Sequence, residues 1–388
     1  MLFHEGFCFV FLNKSLAFCP NVLIRMYDSS FYRIFRVSEQ ESQQQQAASS
    51  PSLGAEALPK VSSIPNGKRP LLPYIFVLIF LLSLLPAPLF FVGLLAPSSN
   101  TEPVKIIIPR GTSVQEITKI LDQKGVLVHP LLFRAASRLL AEDNLKAGEY
   151  ELGVGLSVMD IAALLRDGQS VRRQFTVPEG LSSHEIVSLL GGVEGLSGNV
   201  GAVPEEGTLM PETYVYAWDN NRAEIVKRMQ EAQRKVLADL WVKRQEGLPL
   251  RDEQEALILA SIVEKETGLK AEERGRVAGV FINRLKRGMP LQSDPTVIYA
   301  LTEGKGPLGR ALLYKDLKVD SPYNTYQNAG LPPKPICNPG RAAIEAVLQP
   351  EKNNYIYFVA DGTGGHAFAR TLREHNKNVA NWKRVRRP

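Results

Sequence analysis

Apolar and polar positions fall into clear periods over only parts of this chain, and one stretch stands apart. Ala256, Leu257, Ile258, Leu259, Ala260, Ser261, Ile262 and Val263 form eight consecutive apolar or small positions inside DEQEALILASIVEKET at 252–267. No Gly or Pro interrupts them, and Asp252, Glu253 and Glu255 precede them, where the positive end of a helix dipole favours acids. The pattern predicts a helix that is apolar on nearly every face and therefore buried. Ile225, Met229 and Val236 predict the inner stripe of a charged amphipathic helix over 222–245. Val277, Val280, Phe281 and Leu285 do the same for a helix over 271–287. Asp294-Pro295 reads as the N-cap and first-turn proline of a helix containing 297–301, and Asn338-Pro339 as the cap of one over 340–348. YIYFVA at 355–360 and HAFAR at 366–370 flank DGTGG as a hairpin, with a closing helix over 371–383.

A shorter pattern recurs three times, as IIIPRGTSVQEITKIL at 106–121, YELGVGLSVMDIAALL at 150–165 and FTVPEGLSSHEIVSLL at 175–190. Each copy is a strand-like run, a turn, and a Ser followed three residues later by an acid: Ser113 with Glu116, Ser157 with Asp160, Ser182 with Glu185. That spacing predicts capping boxes at the starts of three helices. The repeated strand-turn-helix unit over 104–171 resembles LysM domains, small modules that bind cell-wall glycan.

Ahead of these elements, 71–96 holds 26 residues without a charge. A helix needs roughly 20 apolar residues to cross the hydrocarbon core, so this stretch is expected to span a membrane once, kinked at Pro86 and Pro88. Lys60, Lys68 and Arg69 precede it and no charge follows at once, which places the amino terminus in the cytoplasm. Residues 37–69, with QQQQ and many Ser, Ala and Pro, read as low-complexity sequence. The expected organisation is a largely disordered cytoplasmic tail over 1–70, a transmembrane helix over 71–96, a LysM-like module over 97–172 and an α+β catalytic domain over 173–388.

Composition narrows the chemistry. The 388 residues carry a net charge of +6 from 46 basic and 40 acidic residues, without a dense basic block, so nucleic acid is a poor partner. Cys337 is the only cysteine after residue 96, and no metal-ligand spacing is present, so neither a disulfide framework nor a metal or other cofactor is expected. The buried helix instead delivers two acids, Glu264 and Glu266, with Lys265 between them. A carboxyl at the end of a dry helix loses hydration, which raises its pKa toward that of a general acid. The helix leaves open which of the two acts, and whether either simply pairs with Lys265, Lys270 or Arg274. Around them, the loops at 291–296 and 321–340 supply amides, hydroxyls and Tyr rings of the kind that bind sugars. Gln292, Asp294, Tyr323, Asn324 and Tyr326 are the candidate glycan contacts. His184, His366 and His375 read as structural or surface residues.

ASIVEKET at 260–267, FINRL at 281–285, LQSDPTVIYA at 291–300, YNTY at 323–326, GLPP at 330–333, NPG at 338–340 and YFVADGTGGHAF at 357–368 together resemble the MltG, or YceG-like, family of endolytic murein transglycosylases. The resemblance implies that Glu264, the first acid of EKET, is the catalytic residue. It implies cleavage of the MurNAc-GlcNAc β-1,4 bond within nascent peptidoglycan strands, leaving 1,6-anhydro-MurNAc ends. It also implies a single-pass plasma (inner) membrane protein with its catalytic domain outside, working near the peptidoglycan synthases of the elongation machinery. Two other readings of the residues stand beside it: a lysozyme-like hydrolase with Asp294 or Glu266 as second carboxylate, and a non-catalytic wall-binding scaffold.

Overall fold

The structure, a computed structural model, describes residues 74–76, 78–80, 86–141, 144–268 and 270–386. The expected 1–70 tail lies outside them. Helix α1 (Pro86–Leu95) is the end of the apolar 71–96 stretch. Residues 71–73, 77 and 81–85 of that stretch lie outside the described residues, and among the described residues no helix is long and apolar enough to cross a membrane.

The first core gathers around β1 (Val104–Ile108), α2 (Val114–Gln123), α3 (Pro130–Ala141), β2 (Gly148–Leu152) and α4 (Val158–Asp167). β1 and β2 pair antiparallel with Ile106 opposite Tyr150. The period of two sends Ile106, Ile108, Tyr150 and Leu152 to one face, where they meet Ile117, Leu121, Phe133, Ile161 and Leu165 of the helices. Leu94 of α1 is buried in the same cluster, so the end of the apolar stretch docks on this module. The Tyr150 hydroxyl, inside the cluster, donates to Lys146 O at 2.7 Å, which removes the cost of an unpaired buried group.

β3 (Arg172–Thr176), α5 (Ser183–Gly191), β4 (Leu196–Ser197), β5 (Thr213–Ala217) and β6 (Asn220–Asn221) follow. All three capping boxes form as the sequence predicts, at Ser113, Ser157 and Ser182. Each is worth about 1 kcal/mol. The third copy nevertheless changes partner: β3 pairs antiparallel with β5, and Phe175, Tyr214 and Tyr216 pack over Ile186, Leu190 and Met229 in a second core. Arg173 of β3 ties the two cores, with Nε 2.6 Å from Glu149 Oε2 and Nη2 3.1 Å from Oε1.

The third core holds α6 (Arg222–Trp241), α7 (Glu253–Glu266) and α8 (Arg274–Lys286), the last preceded by a 3-10 turn at Ala271–Glu273. Ile225 and Met229 are buried on α6 as predicted, Val236 is half-buried, and the helix stops at Trp241 rather than 245. Asp252 caps α7 by accepting from Glu255 N at 2.9 Å, and every residue from Ala256 to Val263 is buried. Val277, Val280 and Phe281 of α8 are buried too. Beyond them come α9 (Asp294–Thr302), α10 (Arg341–Leu348), the antiparallel hairpin of β7 (Tyr357–Ala360) and β8 (His366–Ala369), and α11 (Leu372–Arg386). The mixture of helices with small two-stranded sheets, antiparallel except for the short parallel pair of β4 and β6, is α+β.

Two predicted caps are corrected. Ser293, not Asp294, occupies the N-cap position of α9, and Asp294 is its first helical residue. Gly340, not Asn338, precedes α10. Asn338 is fully buried and bridges segments: its Oδ1 accepts from Leu209 N at 2.9 Å, while its Nδ2 donates to Leu181 O and Ser183 Oγ, each at 3.1 Å. A residue with that many long-range partners has no side chain left for the helix that follows it.

Candidate active site

The end of α7 delivers Glu264 and Glu266 to different neighbourhoods, because two residues along a helix turn a side chain through more than half a circle. Glu264 Oε2 accepts from Gly340 N at 2.9 Å, and its Oε1 lies 3.4 Å from Arg274 Nη2. Only 7% of the Glu264 side chain is exposed. Burial pushes its carboxyl above the usual carboxylate range; the Glu179 charge adds to that push, and the Gly340 N–H and Arg274 oppose it. Glu266 Oε1 accepts from Ser293 Oγ at 2.7 Å. Burial pushes this carboxyl up to about 7, against the Ser293 hydrogen bond. Of the three cations considered as rim partners, Lys265 donates to Gly180 O and Lys270 sits by Asp361 and Thr363, so Arg274 is the one that reaches Glu264.

The predicted glycan contacts divide. Gln292 is exposed in a left-handed backbone conformation, φ 51°, and its Oε1 lies 3.3 Å from Arg284 Nη1. Arg284, buried, also donates to Ile356 O and Leu291 O, fixing the 290–292 loop against the hairpin. Asp294 is exposed and accepts from the Tyr326 hydroxyl at 2.6 Å. These three residues surround the Glu266 side of the helix end. Tyr323 stands elsewhere, its ring 4.8 Å from that of Tyr299. Asn324 has no exposed surface, and its amide donates to Leu317 O and Val319 O while its Oδ1 accepts from Tyr326 N. That side chain builds the 317–326 loop and offers no surface to a glycan.

Sequence reasoning passed over Glu179, Glu206 and Gly340. Glu179 and Glu206 each precede a glycine in the left-handed region, Gly180 at φ 78° and Gly207 at φ 81°, so a repeated Glu-Gly turn was the available signal. Glu206 accepts from Ser183 N at 2.9 Å, and burial pushes its carboxyl up to about 7. His366 pairs with Glu273 at 2.9 Å, a structural contact that fixes the hairpin on the start of α8. Among the described residues, no group of His, Cys, Asp and Glu is arranged to hold a metal ion.

An enclosed carboxyl with a raised pKa can donate a proton to a bound polymer and take one back. An endolytic murein transglycosylase of Bacillus subtilis (strain 168) is 33% identical over 309 residues, covering 71% of this chain and 83% of that protein. One from Streptococcus pneumoniae serotype 2 is 32% identical over 326 residues, covering 71% of this chain and 58% of the relative's own length. A crystal structure of a YceG-like protein from Listeria monocytogenes shares 33% identity, covers 72% of this chain and 99% of that one, and superposes with a TM-score of 0.46. The YceG-like family itself matches residues 106–381, which include the whole of the Glu264 neighbourhood, and this chain belongs to it.

Proposed function

We propose that the protein is an endolytic murein transglycosylase with Glu264 as its acid and base. Relatives that carry that printed name support the reaction, and the carrying observation for the residue is the enclosed Glu264 carboxyl directly after the buried 256–263 run. Protonated Glu264 donates to the glycosidic oxygen between MurNAc and GlcNAc as the sugar develops oxocarbenium character. The resulting carboxylate then takes the proton of the MurNAc C6 hydroxyl, whose oxygen closes on C1 and forms the 1,6-anhydro ring. Gln292, Asp294, Tyr323 and Tyr326 position the strand, with the exposed Gln292 amide and Asp294 carboxylate available to sugar hydroxyls and the half-buried Tyr rings presenting an edge to its C–H faces. The β1–α2–α3–β2 module is a LysM-like holder of the same glycan. The uncharged 71–96 stretch anchors the chain in the plasma membrane with the amino terminus in the cytoplasm, which sets the enzyme beside the synthases that extend its substrate.

Both acids have raised pKa values, so electrostatics by itself does not choose between them. The test is digestion of intact sacculi by the purified full-length protein, with the products resolved by mass spectrometry. Anhydro ends from the wild type, none from Glu264→Gln, and anhydro ends again from Glu266→Gln are expected. Reducing ends instead would establish the water-dependent hydrolase, and full cleavage by Glu264→Gln would remove Glu264 from the chemistry.

A further inference from the structure

One nitrogen, Arg274 Nη2, stands between two carboxyls from distant parts of the chain: 3.4 Å from Glu264 Oε1 and 3.8 Å from Glu179 Oε2. Both distances exceed the 2.6 and 3.1 Å by which Arg173 grips Glu149 with two nitrogens. A guanidinium committed to one carboxylate takes that fork geometry. Arg274 does not, and among the described residues its buried Nε has no hydrogen-bond partner. The Glu179 side chain is 44% exposed, whereas that of Glu264 is enclosed.

The backbone is built to bring the two acids together. Gly180, with φ 78°, turns the chain after Glu179 so closely past α7 that a Cβ there would lie 3.5 Å from Glu264 Cγ. Gly180 N donates to Asn338 O at 3.0 Å, and Lys265 Nζ donates to Gly180 O at 3.2 Å. Gly340, whose N–H holds Glu264, leaves room on its other side for the Glu179 carboxyl, which a Cβ at that position would enter.

We propose that Glu179 is a positioning residue of the active site: it shares the Arg274 guanidinium with Glu264, and so keeps Glu264 as the proton-carrying acid. The inference rests on the assignment of Glu264 made above. The groups facing Glu264 are Arg274 from α8, Glu179 from the β3–α5 loop and the Gly340 N–H. Lys265 on its own helix is turned to Gly180 O, and Cys337 nearby is a buried thiol whose pKa burial raises. With the Glu179 charge removed, the guanidinium settles on Glu264 and favours its ionised form. A general acid acts only while protonated, so the alkaline limb of the pH–rate profile moves to lower pH.

The test measures kcat/KM against pH for release of anhydro ends from sacculi by the full-length protein and its Glu179→Gln, Glu179→Asp and Arg274→Gln variants. Glu179→Gln is expected to move the alkaline limb down by about one pH unit. Glu179→Asp, which keeps the charge, should restore the limb toward the wild-type position, and Arg274→Gln should move it upward. A Glu179→Gln profile with an unmoved limb, whether or not its height falls, overturns the proposal and leaves Glu179 a purely structural residue. Should Glu179→Gln fail to fold by its melting curve, the Arg274→Gln limb decides, and no upward shift overturns it. Reducing ends made by the wild type and lost in Glu179→Gln also overturn it, by making Glu179 a group that activates water. An active Glu264→Gln protein, in contrast, defeats the underlying assignment before Glu179 enters.

Discussion

The N–H of Gly340 meets Glu264 Oε2 at 2.9 Å, and the α-carbon of the same glycine lies against the Glu179 carboxyl. Its φ of −74° is open to any residue, so the glycine is required by the space beside it and not by its backbone angle. Gly340→Ala is therefore expected to push either Glu179 or the 338–340 segment aside and to lengthen the bond that holds Glu264. Overpacking of this kind costs about 1–3 kcal/mol. A displacement near 1 Å at a reacting group costs on the order of 100-fold in rate. Cleavage of sacculi should fall by about that factor while the far-ultraviolet circular dichroism is kept; wild-type turnover in the alanine variant would show that the close approach has no catalytic value.

Glu266 makes a second prediction, concerned with stability. Its carboxyl titrates at about 7 in the folded protein against 4.5 when free. Between those values the folded chain holds a proton that the unfolded chain gives up, so stability is highest below about 4.5 and falls as the pH rises toward 7. At roughly 1.4 kcal/mol per unit the loss from this group is on the order of 3–4 kcal/mol. Glu266→Gln carries no such charge and still offers Ser293 an acceptor. Its melting temperature should change less between pH 4.5 and 7.5 than that of the wild type, and an equal change in both would locate the pH dependence elsewhere. Glu206, also held at about 7 by burial, leaves a residual slope in that variant.

Local signals in the sequence translated into structure where the physics is local. The apolar run at 256–263 became a helix buried on every side, the three Ser-x-x-acid spacings became capping boxes, and DGTGG became the hairpin turn. What the sequence left obscure depends on contacts across long separations. β3 carries the same pattern as β1 and β2 and yet pairs with β5, because register is chosen by the sheet and the core that receive a strand. Asn338 and Asp294 stand before prolines as caps do, but tertiary partners claimed both side chains. Glu179 and Glu264 are far apart in sequence and meet through a glycine and an arginine, a relation no spacing rule expresses.

Asn324 shows the same lesson in a form that can be measured. Its Nδ2 donates to Val319 O at 2.8 Å and Leu317 O at 3.1 Å, and its Oδ1 accepts from Tyr326 N at 3.0 Å, all without exposed surface. Asn324→Ala removes three partners at once and leaves the backbone groups of the 317–326 loop unpaired, at a cost of about 3 kcal/mol. The loop carries Tyr323 and Tyr326, and the Tyr326 hydroxyl holds Asp294 at 2.6 Å, so loss of the amide should loosen the proposed glycan wall together with the fold. In a pull-down with insoluble peptidoglycan, Asn324→Ala is expected to bind less and to melt several degrees lower. Gln292→Ala, which loses only the 3.3 Å contact from Arg284, should bind less while its melting temperature falls by less than that of Asn324→Ala. A protein with Asn324→Ala that melts like the wild type but no longer binds would return Asn324 to direct contact with the sugar.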